Sequence, residues 1–328
     1  MRIFITGATG YIGQRLMDTL IQKGYEVNAL VRTVPTAPLF KHPKLKFFEG
    51  DLLDKISLKK AMEGCDQVYH LAAYARPWAK NPKTYFEVNV QGTVNILEAA
   101  HLVGIKKLVY SSSCAVLGKS NGHPITEANV RDIDFFTEYE SSKHIAENYV
   151  RDYSRDGLAT VIVSPSKVYG PGLWTESNAV SHLMKLYING DWHVIPGDGK
   201  SLGCFCYIDD VVRGHLLAMD HGRPAEKYIL GGENLPLNEF FQILRTQSKK
   251  NHRLFHLPLW LMMLFGWKEE VGASFFGRDP IITRKWIIRY NHDLACSCEK
   301  AVRELGYKIT PISKGINTTL EWIKDEKY

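Results

Sequence analysis

Tyr139 and Lys143 are the two side chains of this sequence whose types and spacing suggest catalysis most directly. They are four residues apart in the segment YESSK, inside a stretch, 139–155, whose pattern predicts a helix, so both project from one helix face. A free phenol has a pKa of about 10 and exchanges protons poorly near neutrality. A nearby ammonium lowers that pKa by Coulomb attraction, so we expect Tyr139 to act as a general acid. Because such pairs also occur on ordinary surface helices, this prediction needs support from elsewhere in the chain.

Three consecutive serines, at positions 111–113, end the fifth predicted strand, which we place at Lys107–Ser112. Ligands of open α/β sheets bind beyond the carboxyl ends of the strands, where a hydroxyl can hydrogen-bond a carbonyl oxygen. One or two of the three hydroxyls are expected to serve the strand-to-loop turn instead. We predict that Ser113 contacts the substrate.

A glycine-rich turn follows the first predicted strand, Arg2–Thr6, and opens the first predicted helix. In this position one glycine permits the tight turn, a second lets the backbone approach a pyrophosphate, and a third lets the helix pack on the strand. The helix N-terminus adds free N–H groups and the positive end of its dipole. The turn therefore predicts a dinucleotide site, with these candidate residues: Gly7, Thr9, Gly10, Tyr11, Ile12 and Gly13.

Strand-like and helix-like segments alternate through the first half of the chain, which is typical of a parallel sheet with helices on both faces. Beyond Ser166 the alternation fails, and it resumes with one more predicted strand at Tyr228–Leu230. We therefore predict an α/β protein with a doubly wound parallel (Rossmann) sheet and a smaller, discontinuous lobe. The dinucleotide-binding domain is placed at 1–168 and 205–231, and the substrate-binding lobe at 169–204 and 232–328.

The composition excludes several classes of protein. The 328 residues are 45% hydrophobic and 23% charged, which is ordinary for a folded domain, and the basic residues behind the net charge of +6 are scattered, so we expect no nucleic-acid partner. The longest apolar run, Leu254–Trp267, is shorter than the ~20 residues of a membrane span. The six cysteines lack zinc-site spacing, so we predict reduced thiols and no metal. With no export signal at the start, we expect a cytoplasmic protein.

Further motifs carry a resemblance to a known family. Besides TGATGYIG at 6–13 and YESSK, the chain has GDL at 50–52, HLAA at 70–73, NVQGT at 89–93, PSKVYGPG at 165–172 and YIDD at 207–210. In this combination it resembles the extended short-chain dehydrogenase/reductases, within the NAD-dependent epimerase/dehydratase superfamily that includes dihydroflavonol reductases and 3β-hydroxysteroid dehydrogenases. The resemblance runs through nearly the whole chain and implies an NAD(P)-dependent oxidoreductase.

The resemblance also implies roles for single positions of this sequence. Asp51 and Leu52 are expected to flank the adenine, and Ala72 and Ala73 to line the path of the cofactor. At the other end of the dinucleotide, Lys143 is expected to contact the nicotinamide ribose. The residues expected beside the nicotinamide are Pro165, Ser166 and Val168.

Arg32 bears on which dinucleotide is bound. It lies at the end of the second predicted strand, 19 residues after Gly13, where a carboxylate would bind the ribose 2′-OH of NAD. A guanidinium there can pair with a 2′-phosphate instead. We therefore favour NADP(H), with NAD(H) beside an exposed arginine as the alternative.

The residues next to the predicted site indicate which class of reaction it catalyses. Dehydratases of this superfamily carry an acid after the catalytic hydroxyl, where this chain has Cys114, and its nucleotide-sugar epimerases typically carry an arginine in the region of Gly203. The lack of this acid and of this arginine favours a reductase that acts on the carbonyl or hydroxyl of a bulky, largely apolar small molecule. The alternatives are a nucleotide-sugar epimerase with tightly bound NAD and a non-catalytic dinucleotide-sensing regulator. A homodimer is left open.

Several other residues receive structural interpretations. We predict Asp209 and Asp210 to be helix caps, His70 to be packed, and Leu254–Trp267 to be a helix that covers the second lobe. Arg76 and Trp78 are candidates for the mouth of the substrate site. The aromatic and sulfur-containing side chains of the second lobe are a candidate substrate surface, although most of them are expected to be core residues: Trp174, Trp192, Phe255, Trp260, Met262, Met263, Phe265 and Trp267.

Overall fold

The computed structural model describes residues 1–325, apart from the side chains of Pro38 and Phe276. Its main element is a parallel sheet of seven strands. Apolar residues fill these strands because helices cover both faces, so no solvent-facing side requires polar alternation. The strands are β1 (Arg2–Thr6), β2 (Glu26–Val31), β3 (Leu45–Glu49), β4 (Gln67–His70), β5 (Lys107–Ser111), β6 (Ala159–Pro165) and β10 (Lys227–Leu230).

The strand order of this sheet is β10-β6-β5-β4-β1-β2-β3, and every pairing is parallel. The chain runs outward from β1 through β2 to β3, and then outward on the other side from β4 through β5 to β6. This reversal between β1 and β4 is the switch point at which open α/β sheets bind ligands. The glycine-rich turn after β1 therefore lies at the expected ligand-binding edge.

Helices pack on both faces of the main sheet. Ile3 of β1 is buried in one core with Leu16, whereas its neighbour Phe4 is buried in the other core with Ile96. Successive strand residues point to opposite faces, so this division shows that both faces are covered. The predicted doubly wound sheet is thus confirmed. The helices around it are α1 (Tyr11–Gln22), α2 (Lys55–Met62), α3 (Lys83–Phe86), α4 (Gly92–Leu102), α5 (Glu138–Arg155) and α7 (Ile208–His221).

A second lobe is built from two small sheets and six helices. Its three-stranded sheet has the order β11-β9-β7, and its two-stranded sheet pairs β12 with β8. The strands are β7 (Lys167–Tyr169), β8 (Val194–Pro196), β9 (Leu202–Tyr207), β11 (Glu233–Pro236) and β12 (Phe255–Leu257). The helices are α6 (Ala179–Asn189), α8 (Leu237–Ser248), α9 (Leu259–Phe276), α10 (Arg284–Tyr290), α11 (Glu299–Leu305) and α12 (Ile312–Asp325).

The chain passes between the two lobes at β7 and β9, which pair with each other and not with the main sheet. β9 pairs with β7 and β11, so residues 205–207 lie in the three-stranded sheet and not in the main sheet. After β9, α7 packs against the main sheet and β10 adds to its edge beside β6. The domain limits stay a prediction.

Two helical segments depart from a regular α-helix. The segment Pro82–Val103 contains a π-helical turn at Glu87–Gln91 between α3 and α4. In Leu254–Trp267, strand β12 comes first and α9 begins only after Pro258, whose ring is suited to a helix start and not to a helix interior. Within residues 1–325, every helix is too short or too polar to cross a bilayer.

Asp209 and Asp210 are structural, but they are not caps. The residue before α7 is Tyr207, and the two carboxylates lie in the first turn of the helix. Asp209 accepts a hydrogen bond from Arg15 Nε at 2.8 Å, and Asp210 accepts one from the Thr310 backbone N–H at 2.6 Å. The first contact fastens α7 to α1, and the second fastens it to the C-terminal part of the second lobe.

Candidate active site

A cavity of about 590 Å³ opens at the carboxyl edge of the main sheet, between the two lobes. This volume is in the range of small-molecule sites. All the predicted site residues line the cavity, which brings them together from seven separate segments of the chain. They are Gly7, Thr9, Gly10, Tyr11, Ile12, Gly13, Arg32, Asp51, Leu52, Ala72, Ala73, Ser113, Tyr139, Lys143, Pro165, Ser166 and Val168.

The glycine-rich turn has the close contacts that require glycine. Gly7 has φ +76°, and a Cβ at this position would lie 2.7 Å from the backbone N of Ala72. A Cβ at Gly13 would lie 2.0 Å from the Gly7 carbonyl oxygen, so α1 can approach β1 only without a side chain there. Gly10 precedes α1 and provides no side-chain cap, which leaves the first N–H groups of the helix to the cavity. These features fit a pyrophosphate.

The side chain of Tyr11 is directed away from this turn. Its hydroxyl donates to the Gly170 carbonyl oxygen at 2.9 Å, and burial raises the pKa of this phenol well above its usual value. Gly170 follows β7 and has φ +138°, a conformation that favours glycine. The contact ties the start of α1 to the second lobe, so any role of Tyr11 toward a dinucleotide falls to its backbone.

Arg32 and Asp51 lie at the far end of the cavity, after β2 and β3 respectively, and both side chains are exposed. Asp51 Oδ1 accepts from the Leu53 backbone N–H at 2.9 Å, which fixes the turn that follows β3. Leu52 is buried and its carbonyl oxygen accepts from Asn95 Nδ2 at 2.9 Å. This end of the cavity therefore combines one cation with an apolar wall.

Ser113 and Tyr139 both line the cavity, where the Ser113 hydroxyl is near enough to lower the pKa of the Tyr139 phenol. Ser113 Oγ also accepts from the Ala115 backbone N–H at 3.2 Å, which caps the short turn after β5. Tyr139 is in the first turn of α5, where the helix is capped by Thr137. Two hydroxyl groups from different elements are thus held together at one point of the cavity.

The pKa of Tyr139 is raised and not lowered as predicted. Burial is the main cause, and the hydrogen bond with Ser113 and the positive charge of Arg289 offset it only in part. Burial also lowers the pKa of Lys143 to about 7, so this amine is only partly charged near neutrality and attracts the phenolate less than a free ammonium would. Tyr139 is therefore a neutral acid that can donate a proton.

Lys143 is almost completely buried, at 1% exposure, and is held by two contacts. Its Nζ donates to the Ser111 carbonyl oxygen at 2.8 Å and lies 4.1 Å from the centre of the Tyr110 ring. Both partners belong to β5, so the amine is fixed against the strand that also leads to Ser113. One helical turn separates Lys143 from Tyr139, as the spacing predicts.

The other two serines of the run have structural partners. Ser112 Oγ donates to Glu147 Oε1 at 2.6 Å. His215 Nδ1 donates to the Val211 carbonyl oxygen at 2.8 Å, so its Nε2 accepts the hydrogen bond from Ser111 Oγ at 3.1 Å. Burial lowers the pKa of His215 to about 4 and keeps the ring neutral. Of the three serines, Ser113 is the one whose hydroxyl acts on the pKa of Tyr139, and its contact with a substrate stays a prediction.

His70 is a packed residue, as predicted. Thr93 Oγ1 donates to the Asn89 carbonyl oxygen, so it accepts from His70 Nε2 at 3.0 Å. The other ring nitrogen then accepts from Thr6 Oγ1 at 2.7 Å. Burial lowers the pKa of His70 to about 3, so the ring is neutral and links β1, β4 and α4.

The π-helical turn before α4 supports the site through Asn89. Asn89 Oδ1 accepts from the Tyr74 backbone N–H at 2.7 Å, and its Nδ2 donates to Ser142 Oγ at 2.9 Å. Ser142 Oγ donates in turn to the Tyr139 carbonyl oxygen at 2.9 Å. The wider turn brings Asn89 to this position and so joins the loop after β4 to the helix that carries Tyr139.

The substrate side of the cavity was missed by the sequence prediction. None of the eight aromatic and methionine side chains proposed for it lines the cavity, and Trp260 and Trp267 are exposed on α9. Arg76 lies at the rim, where it pairs with Glu176 at 3.4 Å. The residues that do line this side come from β7, α10 and nearby loops: Tyr74, Ile125, Lys167, Trp286, Arg289, Tyr290 and Leu294.

Three cysteines, Cys114, Cys204 and Cys296, also line the cavity, and all six thiols of the chain are free and buried. In residues 1–325, no group of three or more His, Cys, Asp or Glu side chains is arranged to hold a metal ion. The thiols therefore serve as small apolar side chains in the wall of the cavity.

A comparison with protein families agrees with this geometry. The sequence model of the NAD dependent epimerase/dehydratase family matches residues 3–231. The chain belongs to this family. The predicted resemblance to extended short-chain dehydrogenase/reductases is thereby confirmed, and the protein is an NAD(P)-dependent oxidoreductase. The matched segment contains every predicted site residue.

Individual relatives match nearly the whole chain. A dihydroflavonol reductase-like protein of Synechocystis sp. is 30% identical over 99% of this chain and 95% of its own length. The sterol-4-alpha-carboxylate 3-dehydrogenase (decarboxylating) of Bos taurus is 27% identical over 94% of this chain and 88% of its own length. The UDP-glucose 4-epimerase of Thermotoga maritima superposes with a TM-score of 0.83 over 100% of both chains at 24% identity, which shows a shared fold.

Proposed function

We propose that this protein is an NADP(H)-dependent reductase or dehydrogenase of the carbonyl or hydroxyl group of a bulky, largely apolar small molecule. The observation that carries the proposal is that Ser113, the neutral Tyr139 phenol and the buried Lys143 line one cavity, where the Ser113 hydroxyl acts on the pKa of the phenol. Relatives named as a dihydroflavonol reductase-like protein and a sterol dehydrogenase support the reaction class.

The two hydroxyls would act together on one oxygen atom of the substrate. Ser113 and Tyr139 both donate hydrogen bonds to the substrate carbonyl oxygen, which polarises the carbonyl group and draws negative charge onto its oxygen. As that charge develops, Tyr139 transfers its proton to the oxygen and completes the alcohol. The dinucleotide, when bound, supplies the hydride. In the reverse direction Tyr139 accepts the proton of the alcohol.

Lys143 would stabilise the phenolate form of Tyr139, which remains after the phenol has given up its proton. Its amine is held at a fixed place by the Ser111 carbonyl oxygen, one helical turn from the phenol. A charged ammonium there favours the phenolate, and its pKa of about 7 lets the amine gain or lose a proton under ordinary conditions. Phenol and amine thus form a pair that can store and release one proton.

Arg32 supports NADP(H) over NAD(H). Its guanidinium lines the far end of the cavity, and no carboxylate of the described residues forms an ion pair with it. Such an arginine can accept the 2′-phosphate through two parallel hydrogen bonds. Calorimetry with NADPH and NADH tests this preference. Arg32→Ala should weaken NADPH binding roughly 10- to 100-fold and leave NADH binding unchanged, whereas equal affinities of the wild-type protein for both would refute it.

The apolar wall supports the substrate class. Tyr74, Ile125, Trp286, Tyr290 and Leu294 surround the part of the cavity next to Tyr139 and Ser113. Aromatic and aliphatic side chains of this kind bind the apolar body of a ligand, while the hydroxyl pair orients its single polar group. The substrate is therefore expected to carry its reactive oxygen at one end of an apolar framework.

Steady-state oxidation of NADPH with a panel of apolar ketones and aldehydes tests the reaction. The proposal predicts turnover by the wild-type protein and a loss of roughly 100-fold or more in Ser113→Ala, because one donor to the developing oxyanion is removed. Thr126→Ala, which changes an exposed hydroxyl outside the cavity, is the control. Ser113→Ala turnover equal to that of the wild type would refute the assigned role.

The same preparation separates the alternative functions. A nucleotide-sugar epimerase retains its dinucleotide through purification and interconverts sugar nucleotides without net consumption of NADPH. A regulator without activity binds the dinucleotide but turns over no member of the panel. Either result would refute the proposed reductase or dehydrogenase reaction and support the corresponding alternative.

A further inference from the structure

Lys167 places a cation in the substrate side of the cavity. It begins β7 directly after the segment that lines the cavity through Pro165 and Ser166. Its Nζ lies 5.5 Å from the centre of the Phe205 ring and 5.6 Å from that of Tyr290. The ammonium is thus held between two aromatic rings and is shielded from bulk water.

The neighbouring strand makes room for this ammonium. Residue 203 of β9 is a glycine, and a Cβ at that position would lie 2.7 Å from Lys167 Nζ. Any larger side chain there would therefore displace the amine. A Cβ at residue 203 would also lie 3.0 Å from the Phe205 ring, so the glycine leaves room for both the amine and the ring beside it.

Lys167 lacks the partner that other buried lysines have. Lys227 Nζ pairs with Glu147, and Lys143 Nζ donates to the Ser111 carbonyl oxygen. For Lys167, no ion pair or hydrogen bond to Nζ is formed by any residue in the described part of the chain. Lys167 is half-buried in the cavity wall, and a cation there without a counter-ion among the described residues suits a ligand of opposite charge.

Arg289 adds a second cation on the same side of the cavity. Its Nε donates to Glu140 Oε1 at 2.8 Å, but Glu140 also accepts from Arg131 NH2 at 2.9 Å. One carboxylate thus faces two guanidinium groups, and with Lys167 the region keeps an excess of two positive charges. The charge of Arg289, together with burial as the larger cause, lowers the pKa of Lys167 to about 8.

These cations lie beside the reacting groups. Glu140, the partner of Arg289, directly follows Tyr139 in the sequence, and the charge of Arg289 acts on the Tyr139 phenol. A negative group held by Arg289 and Lys167 would therefore be close to the carbonyl oxygen that Tyr139 and Ser113 contact. The ligand that fits has an anionic group a few bonds from its carbonyl or hydroxyl carbon.

We propose that Lys167 and Arg289 bind a carboxylate of the substrate, and that the natural substrate is an oxo- or hydroxycarboxylic acid with an apolar remainder. Planar carboxylate oxygens suit one ammonium and the outer edge of one guanidinium. The apolar remainder would contact Trp286 and Tyr290, which flank the two cations in the cavity wall. This inference rests on the proposed reductase or dehydrogenase function, and it defines the substrate of that reaction more narrowly.

Binding experiments with simple probes test the carboxylate site without any turnover. Calorimetry compares octanoate with octan-1-ol, which share a chain and differ in charge. The wild-type protein should prefer octanoate, and Lys167→Met should reduce that preference roughly 10- to 100-fold, as expected for the loss of a charged hydrogen bond. Lys167→Arg keeps the charge and should restore much of the preference.

Two controls keep the result interpretable. Lys200→Met removes an equal charge from an exposed loop, where the side chain is 82% exposed, and should leave the preference for octanoate unchanged. Thermal unfolding should show Lys167→Met to be as stable as the wild type or more stable, because a shielded unpaired cation is removed. Equal binding of the two probes by the wild-type protein, or an unchanged preference in Lys167→Met, would overturn the inference. So would tighter binding of UDP than of octanoate that Lys167→Met abolishes, because it would assign the cations to a diphosphate.

Turnover separates this inference from the proposed function. With NADP+, the wild-type protein should oxidise 3-hydroxyoctanoate with a lower KM than its methyl ester, and Lys167→Met should narrow that difference. If the ester and the acid are oxidised with equal KM, the reductase function stands and the carboxylate site fails. If octanoate binds through Lys167 but neither alcohol is oxidised and no carbonyl is reduced, the site stands and the proposed reaction fails.

Discussion

Arg289 Nε donates a hydrogen bond to Glu140 Oε1 at 2.8 Å, and this contact joins α10 of the second lobe to the helix that carries Tyr139. The carboxylate is 1% exposed and the Arg289 side chain 12% exposed, so the pair is protected from solvent. This buried ion cluster therefore helps to fix the position of the second lobe relative to Tyr139.

Replacement of Glu140 tests how much this ion cluster contributes to the free energy of unfolding. Glu140→Gln leaves Arg131 and Arg289 without their carboxylate in a buried site, and should lower the free energy of unfolding by about 3 kcal/mol. Urea denaturation measures the change. Glu138→Gln is the matched control, because Glu138 also links α5 to α10, through Lys285, but both partners are partly exposed. It should change stability by less than about 1 kcal/mol, and equal effects of the two variants would contradict this account.

The contact between Gly13 and Gly7 gives a second prediction. A Cβ at 13 would lie 2.0 Å from a backbone oxygen, which cannot move aside without shifting β1 or α1. Gly13→Ala should therefore destabilise the fold by several kcal/mol, on the order of an overpacked core substitution, and abolish dinucleotide binding. Denaturation and calorimetry measure these effects. At Gly104 a Cβ meets nothing within 4 Å, so Gly104→Ala should bind the dinucleotide normally. Normal binding by Gly13→Ala would exclude the assigned packing.

The sequence could predict the dinucleotide half of the site because each of its parts is local. The glycine turn, the serines after β5 and the YESSK segment each carry their signal within a few residues, and the parallel sheet then brings them to one edge. All three serines line the cavity, and the sequence does not show that the hydroxyls of Ser111 and Ser112 are taken by His215 and Glu147.

The substrate half depends on contacts that no local pattern contains. Lys167 and Arg289 are 122 positions apart, and only the register of β7 with β9 and the placement of α10 bring them together. The aromatic side chains of α9 do not line the cavity, and the pattern could not show this because the first half of the helix, Leu259–Trp267, is apolar on all sides. The pKa of Tyr139 depends on burial, which spacing alone cannot reveal.

Two buried histidines predict how stability depends on pH. Burial lowers the pKa of His70 to about 3 and that of His215 to about 4, whereas both take their usual values near 6.5 in the unfolded chain. Between pH 6.5 and about 4, only the unfolded chain binds these protons, so stability is lost as the pH falls. Each histidine should contribute a slope of about 1.4 kcal/mol per pH unit.

Urea denaturation at pH 7, 6 and 5 measures this slope. His215→Gln should remove the contribution of one histidine, while His101→Gln, which changes an exposed side chain, should keep the wild-type slope. A wild-type free energy of unfolding that is constant from pH 7 to 5 would show that the buried rings do not titrate as described.

The rate of hydride transfer in a single turnover tests the central claim most directly, that Tyr139 gives its proton to the substrate oxygen. Tyr139→Phe keeps the ring and removes the hydroxyl that Ser113 contacts. With NADPH bound and an apolar carbonyl substrate, transfer in this variant should be slower by a factor of roughly 100 to 10,000, while the affinity for NADPH stays the same. Hydride transfer at the wild-type rate in Tyr139→Phe would contradict the account.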